Sequence, residues 1–93
     1  MKIRFYIDPD TGEPHILKHF VAEIEVEEVL QRPGEDRPGI EGSRVAIGRT
    51  SNGRYLRVIY TLGEELRSIF VITAYELRGK PLTAYQRRRR KKK

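Results

Sequence analysis

Two histidines, His15 and His19, stand four residues apart with Lys18 between them, and a second set, Arg49, Arg54, Tyr55, Arg57 and Tyr75, is spread over the later part of the chain. Imidazole exchanges protons near neutral pH. Arginine carries a planar fork that donates two parallel hydrogen bonds to a phosphate, and a tyrosine beside cations releases its proton more readily. Such a set can support transesterification of RNA, in which a base removes the 2′-hydroxyl proton, a cation steadies the charged phosphorane, and an acid protonates the leaving oxygen. That reaction needs no metal. Two histidines without a third ligand make a poor zinc site, and the absence of cysteine removes both thiolate ligands and disulfides, so no metal or other cofactor is expected.

The elements that must position these groups can be traced along the chain. Lys2 to Ile7 alternates polar and apolar residues, with Ile3, Phe5 and Ile7 on one face, as a half-buried strand does. Asp8-Pro9-Asp10-Thr11-Gly12 is turn chemistry, and Asp10 or Thr11 is placed to cap a short helix over Pro14 to Phe20 that would put His15 and His19 on one face. A second helix carries Val26, Val29 and Leu30 at i, i+3, i+4 among glutamates and ends before Pro33-Gly34. Glu35 to Gly42, with two glycines, a proline and mixed charge, reads as a mobile loop.

Val45 to Leu77 reads as three consecutive antiparallel strands. Asn52-Gly53 is the preferred two-residue hairpin turn and would pair Arg49 with Leu56, Ile47 with Val58 and Val45 with Tyr60; a four-residue loop would pair 49 with 54 and 47 with 56. Both keep the same faces together. Val45, Ile47, Leu56, Val58 and Tyr60 would then form the core face, and Ala46, Gly48, Tyr55, Arg57 and Ile59 a docking face. In a meander the end of one strand lies beside the start of the next, so Arg49, Arg54 and Tyr75 should share one edge of the sheet. Each of them can also be read as an ordinary rim or sheet residue.

Three pieces of this region, I-G-R-T-S-N-G-R at Ile47 to Arg54, the apolar L-R-V-I-Y-T that follows, and V-I-T-A-Y at Val71 to Tyr75, resemble the BrnT-like toxins of the RelE/ParE superfamily of small bacterial ribonucleases. Upstream, K-H-F-V at Lys18 to Val21, then E-E-V-L and Pro33, falls in the register of that family's K-H-G-V helix-turn-helix segment. Phe20 stands where the family pattern has glycine and is expected to pack inward. The resemblance implies a RelE/ParE-like α+β fold, RNA cleavage as a toxin, and a cognate antitoxin partner that itself binds DNA. Under this reading His19, Arg57 and Tyr75 are the catalytic candidates. Lys18, Arg49, Arg54, Tyr55, Arg87, Arg88, Arg89 and Arg90 are the RNA-binding candidates, with ribosome-associated RNA among the targets. The alternative is an inactive relative that binds RNA or protein without cutting.

Ninety-three residues suffice for one domain, which buries on the order of 60% of its unfolded surface. The net charge of +6 suggests a polyanion partner, yet Arg87 to Lys93 hold 7 of the 19 basic residues, leaving residues 1–86 with 12 cations against 13 acids, a formal −1. The expected organisation is therefore a domain over 1–86 and a basic tail over 87–93. Pro81 fits a first helical position, Leu82 and Tyr85 lie three apart, and the like charges from Arg88 onward should fray a short terminal helix. That tail serves either as a solubilising segment or as a phosphate grip. No apolar run reaches the roughly 18 residues of a membrane span, and Met1 leads into Lys2-Ile3-Arg4-Phe5 without a signal-peptide pattern, so a cytoplasmic protein is expected. The fold expected is an α+β domain with a small antiparallel sheet: N-terminal strand, two helices, three-strand meander, short C-terminal helix.

Overall fold

A computed structural model describes residues 2–65 and 67–91; Lys92 and Lys93 of the basic tail lie outside the described residues. The chain folds as an α+β domain built on one five-stranded sheet. Strand β1 is Lys2–Phe5, β2 Glu35–Pro38, β3 Arg44–Arg49, β4 Tyr55–Leu62 and β5 Ser68–Glu76, in the spatial order β1-β5-β4-β3-β2. A 3-10 helix over His15–His19 and helix α1, Glu23–Gln31, follow β1, and helix α2 spans Gly79–Lys91. No helix among the described residues is long and apolar enough to cross a membrane.

The sheet is mixed, which corrects the antiparallel expectation. β1 pairs with β5 in parallel, Lys2 opposite Ser68 and Phe5 opposite Val71. Alternation in β1 fixes which residues face the core, but it carries no information about strand direction. Glu35–Pro38, expected as a mobile loop, is an edge strand paired antiparallel with β3. Its E-D-R-P sequence lacks an apolar pattern because an edge strand needs only its backbone ladder, and charge and proline there discourage pairing with another chain.

The β3–β4 hairpin decides the rest. Its loop is three residues long: Thr50 N–H donates to Arg54 C=O at 2.7 Å, and Gly53 N–H donates to Thr50 C=O at 3.0 Å. A three-residue loop of this kind ends on a residue with positive φ, here Gly53 at 90°. Thr50 Oγ1 accepts a further bond from Arg54 N–H. Arg49 therefore pairs with Tyr55, Ile47 with Arg57, and Val45 with Ile59. Both expected registers are wrong by one residue, and a one-residue slip exchanges the faces. Ala46 joins Leu56, Val58 and Tyr60 beneath α1 and the 3-10 helix, with Ile16, Val21, Val26, Val29, Val71 and Ala74. Val45 and Ile47 join Tyr55 and Ile59 on the other face, where Leu77, Leu82 and Tyr85 cover them.

Helix α1 forms where the valine spacing predicts it, with Val26 and Val29 buried. Its N-cap, Ala22, has no side-chain acceptor, so Glu25 supplies half of a capping box by accepting Ala22 N–H at 2.9 Å. The first helix is 3-10 rather than α, preceded by Pro14 and not capped by Asp10 or Thr11. Phe20, expected inside, is 86% exposed and adopts φ 58° at the end of that turn. Helix α2 runs through the arginines to Lys91 instead of fraying at Arg88. Tyr85 is buried at 4% exposure, Arg88 donates to Glu35 from Nε at 2.5 Å and Nη2 at 2.9 Å, and Arg89 donates to Gly34 C=O at 2.7 Å.

Gly34 is what lets α2 dock. A Cβ there would stand 1.8 Å from Tyr85 Oη and 3.0 Å from Cζ, so Gly34→Ala must displace the ring. We expect a loss of about 1–3 kcal/mol, the cost of overpacking, in urea unfolding, together with increased solvent exposure of tyrosine. Unchanged stability would show that α2 does not rest on this segment.

Candidate functional site

The turn after β1 folds back on itself. Asp8 N–H donates to Glu13 C=O and Gly12 N–H to Asp8 C=O, while Ile7 bridges Pro14, which brings Asp8 against His15. The Asp8 side chain is 5% exposed and accepts from Lys18 Nζ at 2.7 Å, His15 Nδ1 at 3.0 Å and Asp10 N–H at 2.8 Å. The Lys18 bond first, then those from His15 and Asp10, hold its carboxyl far below the usual carboxylate range against a smaller opposing effect of burial. With Nδ1 directed at a carboxylate, the His15 tautomer that donates there leaves Nε2 as the free acceptor, an assignment made from the bonding network.

From His15 a row of rings follows the end of β5. Tyr6 and His15 have centroids 6.1 Å apart, His15 and His19 5.2 Å edge to face, and His19 and Tyr75 6.1 Å. Tyr75 stands directly opposite Arg57 across the β4–β5 ladder. His19 and Tyr75, distant in sequence, thus meet ring to ring at one end of the sheet, and Arg57 stands opposite Tyr75 in the ladder with its side chain lining a depression with Val45, Ile59 and Ile72. His19 is exposed, while Tyr75 and Arg57 are half-buried. Arg57 Nε and the nearby Thr73 Oγ1 are buried without a hydrogen-bond partner among the described residues.

The cations divide into occupied and free. Arg54 Nη1 donates to Phe20 C=O at 2.8 Å and to both oxygens of Glu25 at 2.8 and 3.0 Å, and Nη2 reaches Glu76 at 3.4 Å. Burial pushes the Glu25 carboxyl up, but the Ala22 N–H and then Arg54 outweigh it and leave it below its ordinary value. Arg54 is thus an internal brace. Lys18 is held by Asp8, and Arg88 and Arg89 fix α2 as described. Arg49 lies over the Tyr55 ring at 5.8 Å. Arg87 and Arg90 are exposed on α2 and make no ion pair among the described residues.

Asp8 escapes a reading based on residue spacing, where it is only part of a turn. The signal that could have found it is the Asp8-Pro-Asp-Thr-Gly reversal followed by histidine seven positions on. No three His, Cys, Asp or Glu side chains approach metal-binding geometry among the described residues. Compared with protein-family models, with curated proteins and with solved structures, the chain matches none.

Two substitutions probe this architecture. The Arg54–Glu25 pair is largely out of water, at 24% and 10% side-chain exposure, so Arg54→Ala should cost about 2 kcal/mol in urea unfolding, between the values for exposed and buried pairs. A loss within error of zero would remove the bracing role. For Asp8, a folded pKa depressed below the unfolded value of about 3.9 adds stability above pH 4, and that stability is lost as pH falls toward the folded pKa. Asp8→Asn should therefore be less stable than the parent chain at pH 7, with the gap constant above about pH 5 and narrowing steadily as pH is lowered below about 4. A gap that does not change between about pH 5 and the lowest pH at which both chains fold would mean that Asp8 acts by packing alone.

Proposed function

We propose that the chain is an RNA-cleaving toxin that acts by metal-independent transesterification at the His19–Tyr75–Arg57 cluster and is held in check by a DNA-binding antitoxin. The observation that carries the catalytic part is the ring contact of His19 with Tyr75 together with the pairing of Tyr75 with Arg57 across β4 and β5. The toxin and antitoxin parts rest on the resemblance of Ile47 to Arg54 and Val71 to Tyr75 described above.

In this reaction His19 takes the proton from a 2′-hydroxyl, and the 2′-oxygen attacks the adjacent phosphorus. The new P–O2′ bond forms as the P–O5′ bond breaks, and Tyr75 returns a proton to the departing 5′-oxygen, giving a 2′,3′-cyclic phosphate and a free 5′-hydroxyl. The Arg57 guanidinium faces the charge that grows on the phosphorane oxygens, where such a donor has its largest effect. Asp8 and His15 are positioning groups: Asp8 fixes the His15 ring, which in turn packs edge to face on His19. A second reading, a binding module without chemistry, is favoured by the internal engagement of Lys18 and Arg54, which leaves fewer cations for the transition state.

Purified chain incubated with single-stranded RNA in chelator should yield cyclic-phosphate ends. His19→Ala and Tyr75→Phe should each slow cleavage by about 10²- to 10⁴-fold, the usual share of one acid or base, with the fold retained by circular dichroism. Digestion that returns only with a divalent ion would exclude the mechanism. Absence of digestion under every condition would select the binding module, and full activity in both variants would move the chemistry elsewhere.

A further inference from the structure

A second cluster of cations and aromatic rings lies where α2 meets β3 and β4. Arg49 from β3, Tyr55 from β4, and Tyr85, Gln86, Arg89 and Arg90 from α2 line one depression, and no carboxylate among the described residues lines it. We infer that this depression is a binding subsite for one stretch of single-stranded RNA, its phosphates held by Arg49, Arg89 and Arg90 and a base stacked at Tyr55. The inference rests on the reading that RNA is the ligand, but not on the chain cutting it.

Four features support it. The three guanidiniums come together on a body whose first 86 residues sum to −1, so the positive charge here is local and not a general property of the surface. The floor is aromatic: Tyr85 is buried and meets Tyr55 at 6.0 Å in a T-shaped contact, leaving the half-buried Tyr55 as the ring within reach of a ligand. Alternation of cations with an aromatic face is what a flexible single strand requires, because each base has a π-face and each nucleotide a charge. Gln86 adds one amide with a donor and an acceptor, suited to a base edge.

The cations are also held in place. Burial of Tyr85, the Arg88–Glu35 pair and the Arg89 bond to Gly34 fix the helix on which they stand, so less side-chain and chain entropy is lost on binding than with a free basic tail. All four arginines of the terminal run, with their planar forks, fall within α2. The salt dependence should differ accordingly. Seven independent tail cations would give a slope of log K against log salt of about −5, whereas a three-arginine subsite gives about −2.

The test uses the full chain and a fluorescein-labelled 2′-O-methyl uridine 12-mer, which cannot undergo transesterification, titrated at several potassium chloride concentrations. The parent chain should bind with a slope near −2. Arg49→Gln and Arg90→Gln should each weaken binding about fivefold or more and reduce the slope by about 0.7, while Tyr55→Leu should weaken it about fivefold or more with the slope unchanged. Lys2→Gln, an equal charge change on β1 at the far edge of the sheet, should bind as the parent does. Circular dichroism checks that each variant folds. Arg49→Gln indistinguishable from Lys2→Gln, a parent slope near −5, or no binding by the parent would each overturn the subsite. Cleavage of ordinary RNA, measured in parallel, judges the reaction separately: binding of this pattern without cleavage keeps the subsite and removes the chemistry, and cleavage with unchanged Arg49→Gln binding does the reverse.

Discussion

One guanidinium joins the parts that must meet for the candidate site to exist. Arg54 closes the β3–β4 hairpin, and its side chain binds the Phe20 carbonyl, the Glu25 carboxylate and Glu76. Glu25 in turn caps Ala22 and accepts from Asn52, so the hairpin loop, the end of the 3-10 helix, the start of α1 and the end of β5 are tied at one point. The arrangement accommodates Phe20 in a left-handed conformation that a side chain adopts at a cost of about 1–2 kcal/mol. That backbone turn ends the 3-10 helix one residue after His19, whose ring meets Tyr75. The catalytic candidates are therefore positioned by a residue whose own cation is unavailable for chemistry.

How far the sequence discloses this depends on what each signal encodes. Val26, Val29 and Leu30 reveal α1 because a buried helix face leaves a periodic trace. The runs at 45–49, 55–62 and 68–76 reveal β3 to β5 for the same reason. β2 leaves no such trace, since Glu35-Asp36-Arg37 enters the ladder through backbone alone. Hairpin parity is the costliest omission. Asn52-Gly53 suits a two-residue turn, but the Thr50 hydroxyl meets both Arg54 N–H and the Asn52 side chain and favours the longer loop, which moves Val45 and Ile47 to the face of Arg57. The end of the sheet shared by Arg49, Arg54 and Tyr75 is legible because strand order, unlike register, follows from the meander.

The charge pattern acquires a different meaning once α2 is in place. A run of seven cations suggests a solvated tail, yet Tyr85 anchors the helix that bears its first part, and Glu35 on the edge strand meets Arg88. The acidic residue that makes β2 unattractive as a strand is the one that receives the helix. Burial of the Tyr85 ring, which raises its hydroxyl pKa, and the Arg88–Glu35 pair thus convert part of a like-charge run into a fixed surface. The remaining cations, Arg87, Arg90 and Lys91, project from a defined helix, so their spacing is set by 3.6 residues per turn and not by mutual repulsion.

Two places on the sheet then carry complementary features. In one, Arg49 and Arg90 make no ion pair among the described residues and lie beside Tyr55; in the other, Arg57 Nε is buried with no hydrogen-bond partner among the described residues, as is Thr73 Oγ1 two residues from Tyr75. A buried polar atom left unpaired costs about 1–3 kcal/mol, so Arg57 Nε and Thr73 Oγ1 mark a place where the packing of the sheet leaves its polar groups unsatisfied among the described residues. Under the proposed reading, Arg49 and Arg90 would draw a polyanion to the surface, and the reaction would then bring one of its phosphates to the Arg57 guanidinium.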